Sequence, residues 1–414
     1  MTIYIDDVSA AASTFPQSPI PGPSPVPARI PTHEELLARV DALVPRLRER
    51  AEETENLRRI PDITMLELQE AGVFKILAPI GVGGYGMGVE TYGEVVRRLA
   101  RGCPSTAWNA GHLAEHVWML ARWPQAVQDE VFADGPAPLA AATGAPVGLA
   151  EEVPGGYLIT GRWSFASGVL HSRWALLAVE HSGVRLQCLV PINDVEVVDT
   201  WHTAGLRGTG SNDIHAEQLF VPAHRAAAWT LLTAEDNPGS RIHPDPIINT
   251  PMGTLLNIVA PSAALGAAEH ALELFREQML RRKVKNTAEN RQADSPLAQA
   301  RFAQAYGLVA TARLHWAEAV RLLAASHRRQ PRTMTEEQRA QYRLSFALGS
   351  EAAVQAVNMI MAGSGGSAHR LSHPLQRIQR DVGVLLNHPT LATDPILEQA
   401  GRGLLGLGLT VSSF

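Results

Sequence analysis

Apolar residues repeat along the chain at two different spacings, and each change of spacing marks a change of structure. Leu36, Leu37, Val40, Leu43, Val44 and Leu47 recur as one face of a helix. Thr32 stands ahead of that run with Glu35 three residues on, which predicts a capping box for the free amides of the first turn. Thr64 with Glu67, after Pro61, predicts a second such start, and residues 92–120 are again helical in period. Residues 32–135 therefore read as an N-terminal helical domain. Between 136 and 245 the apolar runs are short, at 156–160, 174–179 and 186–190, with glycine-rich or polar turns between them, which predicts a middle β domain. Residues 246–414 return to helix over 263–280, 296–325, 335–362 and a last segment after Pro374. That is a C-terminal bundle with apolar surface enough to pack on a second subunit. The fold class that follows is mainly α with a central β domain. Pro16, Pro19, Pro21, Pro23, Pro25, Pro27 and Pro31 remove amide donors from one short stretch, so residues 1–31 are expected to be a mobile tail.

Composition narrows the function. Of 414 residues, 45% are hydrophobic and 19% charged, a globular balance that excludes extended disorder. The net charge of −5 leaves no basic excess for a phosphate backbone, so no nucleic-acid partner is expected. Cys103 and Cys188 make neither a disulfide framework nor a metal-ligand spacing, which fits a reducing cytoplasm. Asp6 and Asp7 stand where a secretory signal would be basic. The uncharged stretch 250–268 contains Asn257, Pro261 and Ser262 and reads as a buried helix rather than a membrane span. A soluble cytoplasmic protein is expected.

Four motifs carry candidate chemistry. Gly81, Gly83 and Gly86 spell a dinucleotide fingerprint, but the residues before them read as helix and no β/α alternation follows, so a glycine-rich loop is the better reading. His112, Glu115 and His116 match the inverted zinc-protease motif, with both histidines on one helix face; the other reading is one histidine facing a cavity and one ordinary helix residue. Residues 205–213 crowd glycines and small polar side chains into a loop that either cradles an anion or cofactor or simply turns between two strands. His388 follows Arg377, Arg380 and Asp381 on what reads as one helix, as a catalytic histidine or a structural one.

Five stretches in order resemble the acyl-CoA dehydrogenase fold, and within it the flavin-dependent monooxygenases. They are Ala71-Gly72-Val73-Phe74 leading to Pro79 and Gly83-Gly84-Tyr85-Gly86; Pro104-Ser105-Thr106-Ala107-Trp108 followed by His116 and Trp118; residues 161–168; residues 205–213; and Leu375-Gln376-Arg377 with Arg380-Asp381 and His388. That branch includes the oxygenase component of 4-hydroxyphenylacetate 3-hydroxylase, with dibenzothiophene monooxygenase and nitrososynthases as relatives. The resemblance implies a helical domain, a β-barrel-like domain and a four-helix bundle. It also implies cofactor-binding and catalytic positions: Ser167 against flavin N5 and the C4a adduct, Phe165 backing the isoalloxazine, Trp108 lining the ring pocket. His116 would orient or deprotonate the substrate and His388 contact the oxygenated flavin or substrate. Thr143 lies where relatives often carry serine, and Arg282 is the candidate for the flavin phosphate. The implied activity is that of the oxygenase component of a two-component monooxygenase. It would use FMNH2 or FADH2 and O2, through a C4a-hydroperoxide, to hydroxylate a phenolic, polycyclic or heteroatom substrate. With no dinucleotide fold of its own, the chain would take reduced flavin from a separate reductase, and it would assemble as a homotetramer, a dimer of dimers. No metal is expected. The alternatives are a dehydrogenase-like flavin oxidase or desaturase, which His388-Pro389-Thr390 in place of the usual glutamate base argues against, and a zinc hydrolase on His112 and His116.

Overall fold

A computed structural model of the chain describes residues 29–283, 291–327 and 334–411, so the tail expected over 1–31 lies outside the described residues except for Arg29, Ile30 and Pro31. Helix α1 (His33–Glu49) starts as its sequence predicts: the Glu35 amide donates to the Thr32 hydroxyl at 3.2 Å, and the Thr32 amide donates to the Glu35 carboxylate at 2.8 Å. After α2 (Ala51–Leu57), helix α3 (Asp62–Ala71) starts differently from expectation. Pro61 is its N-cap residue, so Thr64 lies within the first turn and accepts from Arg50, while Glu67 pairs with Arg50 and Arg46. Two nearby guanidinium groups claim the carboxylate that a capping box would need.

The helical period over 92–120 belongs to two helices, α4 (Val89–Ala100) and α5 (Pro104–Leu120), parted where Gly102 and Pro104 break the ladder. Every residue of α5 except His112 is buried, which makes it the axis around which the other elements pack. Helix α6 (Gln125–Val131) leads into a seven-stranded sheet of β1 (Ala140–Val153), β2 (Gly156–Ala166), β3 (Trp174–His181), β4 (Val184–Pro191), β5 (Glu196–Val198), β6 (Asn212–Pro222) and β7 (Ala226–Ala228). The strand order is β5-β6-β2-β1-β3-β4-β7, antiparallel except where β1 runs beside β3. Strand β2 pairs with β1 only from Leu149 onward, so residues 140–143 have β3 on one side and the helices on the other.

From the sheet the chain passes through short α7 (Trp229–Thr233) and α8 (Met252–Leu255) into α9 (Val259–Arg281), α10 (Pro296–His327), α11 (Glu336–Ser364), α12 (Pro374–Leu385) and α13 (Thr393–Leu404). The fully buried Arg122 ties this passage down. Its Nε donates to Leu232 O at 2.7 Å, Nη2 to Ala234 O at 2.7 Å, and Nη1 to Thr250 O at 2.9 Å and to Ile248 O. The uncharged stretch 250–268 runs through α8 into α9 and, as expected, is buried apart from Pro251, Gly253 and Leu256. Gly266 lets α9 close on α4, since a Cβ there would lie 2.0 Å from the Arg97 carbonyl. His388 is not on the helix with Arg377 and Asp381: α12 ends at Leu385, and His388 sits in the turn after it.

Candidate active site

Trp108, His112 and His116 recur every four residues on α5 and so form one stripe. That stripe faces a cavity of about 310 Å³ whose other walls are Ala142 of β1, Phe165 and Ser167 at the end of β2, the connection from β5 to β6, and the end of α12 with His388. The structure thus brings together five of the seven candidate residues: Trp108, His116, Phe165, Ser167 and His388. Thr143 is not among the lining residues; successive strand side chains point to opposite faces, and Ala142 takes the cavity side. Arg282 does not line it either, because its guanidinium donates to the Ser364 carbonyl at the end of α11.

The loop at 205–213 proves to be both turn and wall. Gly205 packs so tightly on α12 that a Cβ would lie 2.1 Å from Arg380 O. Beside it the Leu206 amide donates to buried Asp381 at 2.7 Å, and Arg380 donates to Ala204 O at 2.5 Å. Asn109 holds the next carbonyl, Thr209 O, at 3.0 Å. So fixed, the loop presents Leu206, Thr209 and Ser211 to the cavity.

Hydrogen-bond direction there follows from its fixed end. Thr209 Oγ1 donates to Leu206 O, which can only accept, so Thr209 Oγ1 accepts from Ser211 Oγ at 2.7 Å and Ser211 from Ser167 at 2.8 Å. Ser167 Oγ also accepts from the Trp108 indole at 3.0 Å. Its proton is committed away from the cavity, and what it offers inward is a lone pair.

The imidazoles are fixed in the same way. His116 Nδ1 lies 2.7 Å from Ala140 O on the open side of β1; a carbonyl accepts, so Nδ1 carries the proton and Nε2 is a bare acceptor. His388 Nδ1 accepts from the Thr390 amide at 3.3 Å and lies 2.7 Å from its hydroxyl, so His388 turns Nε2–H outward as a donor. Burial holds both neutral, with proton affinities lowered to about 4 for His116 and about 3 for His388. His112 stands between them, its ring 5.9 Å from that of His116 and 6.2 Å from that of His388, with Trp108 edge-on at 4.5 Å.

Phe165 has φ +64°, a left-handed conformation costly for a bulky residue, and remains 68% exposed while packing edge-on to Trp201 at 6.0 Å. Phe165 thus presents an uncovered aromatic face to the cavity. Trp201 carried no motif and could not have been singled out from sequence; Glu115 and Thr209 stood in motifs whose chemistry was read differently.

Family models of the acyl-CoA dehydrogenase N-terminal domain and C-terminal domain match residues 31–133 and 258–392. A pigment production hydroxylase of Rhodococcus sp. is 34% identical over 91% of this chain and 97% of its own. The oxygenase component of an FADH2-dependent resorcinol hydroxylase of Rhizobium sp. is 31% identical over 93% and 97%. The structure of XiaF from Streptomyces sp., in complex with FADH2 and glycerol, superposes with a TM-score of 0.86 at 28% identity, covering 92% of this chain and 98% of that one. These similarities favour the flavin reading of the His112–His116 string over the zinc hydrolase and over the oxidase. With a third of its residues shared over almost the whole of both chains, this protein belongs to the reduced-flavin-dependent monooxygenases of the acyl-CoA dehydrogenase fold.

Proposed function

We propose that this chain is the oxygenase component of a two-component system that hydroxylates a phenol. The observation that carries the reading is that one cavity is lined by both a bare acceptor, His116 Nε2, and a donor, His388 Nε2–H. A phenolic hydroxyl is both donor and acceptor, and it satisfies the two at once; a thioether satisfies only His388.

The residues present fit a reduced flavin. Trp108, Phe165 and Trp201 supply flat apolar surface, and Ser167 offers the acceptor that a flavin N–H requires. When bound, reduced flavin supplies electrons to O2 and, through it, the oxygen atom that enters the substrate. The chain's own part is positional. Ser167 holds a proton at N5 by accepting from it, His116 and His388 orient the substrate hydroxyl, and Leu206, Val384 and Leu385 exclude water. Reduced flavin comes from a separate reductase. Leu297, Tyr306 and Leu314, exposed on α10, are surface available to a homotetramer. A cytoplasmic setting, where the free thiols Cys103 and Cys188 stay reduced, suits such a pair of proteins.

The test is a panel of phenols, amines and thioethers, each supplied with enzymatically reduced FMN or FAD and air. Phenols should yield hydroxylated product at the expense of peroxide. Turnover confined to thioethers or amines would overturn the phenolic assignment.

A further inference from the structure

We propose that Thr209 and Asp381 are positioning residues for the cofactor: together they fix which way the Ser167 hydroxyl points, and with it which redox state of flavin the site accepts. The assignment rests on Ser167 facing flavin N5, as proposed above.

Hydrogen bonding at N5 reverses with reduction. Reduced flavin carries a hydrogen there and donates, whereas oxidised flavin has a bare lone pair and accepts. Ser167 can meet the first with a lone pair or the second with its proton, but a hydroxyl has a single proton to place. That proton goes to Ser211 at 2.8 Å, and the Trp108 indole, donating at 3.0 Å, takes up one lone pair, so what is left for the cofactor is an acceptor. Oxidised flavin in the same place would set lone pair against lone pair.

Nothing in Ser167 itself enforces that direction. Ser211 and Thr209 are hydroxyls too, and each could serve its neighbour as donor or as acceptor. The choice is made at the far end of the chain, where Thr209 Oγ1 lies 2.9 Å from Leu206 O, a group that only accepts. Without the Thr209 hydroxyl, Ser211 loses the acceptor on that side. Its proton can then turn to Ser167, and the Ser167 proton is free to turn toward the cavity.

The carbonyl at the end of the chain is itself held. Leu206 has φ +51°, a left-handed conformation that is costly for a leucine. In it the carbonyl meets the Thr209 hydroxyl, the Thr209 amide at 3.1 Å and the Trp201 indole at 2.9 Å. Asp381, buried on α12 and outside the cavity lining, pins this residue by accepting from its amide at 2.7 Å. Helix α12 is braced in turn: Arg377 donates to Glu55 of α2 at 2.8 Å, and Arg380 reaches both Glu55 and, at 2.5 Å, Ala204 O. Asp381 thus acts on Ser167 through Leu206, Thr209 and Ser211, without touching the cofactor.

The experiment measures binding rather than turnover. Full-length protein is titrated with oxidised FMN or FAD in air and with the dithionite-reduced flavin under argon, and the ratio of the two dissociation constants is read. In the wild type reduced flavin should bind at least about tenfold more tightly, the worth of one matched hydrogen bond against a mismatch. Thr209→Val, which keeps the shape of the side chain, should shrink that ratio about fivefold, and should do so by tightening the oxidised complex. Damage to a pocket weakens binding; a gain for one redox state is not what a merely structural role produces. Asp381→Leu should also shrink the ratio and should speed amide exchange over residues 203–212 in the flavin-free protein. Asp381→Asn, which keeps an acceptor for the Leu206 amide, should retain both wild-type properties. In a Ser167→Ala background neither Thr209→Val nor Asp381→Leu should move the ratio by more than about twofold, because the group they act through is gone. A wild-type ratio in Thr209→Val, or an equal shift with and without Ser167, would overturn the proposal, and so would Asp381→Asn behaving as Asp381→Leu. If Asp381→Leu does not fold, Thr209→Val and Asp381→Asn still decide. A wild type whose ratio matches that of Ser167→Ala would instead overturn the placement of Ser167 at N5.

Discussion

Two of the cavity's walls handle polarity by different means. The wall from α5 is titratable: His112, Glu115 and His116 lie within one turn of a buried helix, each with its proton affinity moved far from the ordinary value. The wall from the β domain is not: Ser167, Ser211 and Thr209 pass hydrogen bonds in one direction to the Leu206 carbonyl, and none of them ionises near neutral pH. A titratable wall can take a proton and return it, at the cost of sensitivity to pH. A hydroxyl wall keeps one polarity at every pH and can hold a cofactor proton without capturing it. On the phenolic reading proposed above, oxygen transfer asks for both, one for each reactant.

Four experiments sharpen or break this contrast. The largest effect belongs to His116→Asn, which should cut product formation about 10²-fold by releasing the substrate hydroxyl while flavin binding, read by fluorescence titration, stays intact. If flavin binding collapses instead, the helical wall serves the cofactor and the division is wrong. Ser167→Ala comes next. Losing an acceptor worth about 1.5 kcal/mol should divert reduced flavin to hydrogen peroxide roughly tenfold more often, measured as peroxide per product.

The third effect is on stability. The three histidines have depressed affinities in the folded state, so their neutral forms favour folding above their unfolded value of about 6.5, and that contribution is lost as pH falls toward 4 and below. Glu115 is raised, so its contribution is full below about 4.5 and is lost as pH rises through about 8. Melting temperature should therefore fall on both sides of neutrality. Glu115→Gln should flatten the alkaline side by a few degrees, and Ser211→Ala should shift the curve without changing its shape. The smallest effect is expected for Thr143→Val. Its hydroxyl is buried with no hydrogen bond and its side chain faces away from the cavity, so melting and activity should both hold, within about 0.5 kcal/mol in stability.

Most of the architecture was legible because it depends on local pattern. The α1 capping box, the three β runs and the long C-terminal helices all lie where periodicity and turn residues put them. Thr64 misled because Arg50 and Arg46, distant enough in sequence to carry no local signal, claim Glu67. At the site, His112 and His116 were legible as sharing a face since four-residue spacing on a helix is itself a geometric statement, whereas Trp108, one turn earlier, was named only through the family resemblance. Thr143 and Ala142 were not separable, because a strand's facing is set by its partner's register rather than by its own residues. Trp201 is held at the cavity by its indole's hydrogen bond to Leu206 O, and Leu206 is in turn fixed by Asp381, 175 residues away along the chain.

The Arg122 clamp bears on how this protein tolerates alteration. Residues 234–251 join the sheet to the bundle with little regular structure, and an engineer would choose such a stretch for a peptide tag or a new terminus. Yet three of its carbonyls, with that of Leu232 just before it, converge on one buried guanidinium, which sits two residues beyond the helix that carries His116. Lysine, with a single nitrogen, cannot stand in for that fork. The joint behaves as a keystone, and a graft there would be felt in the cavity before it was felt at the surface.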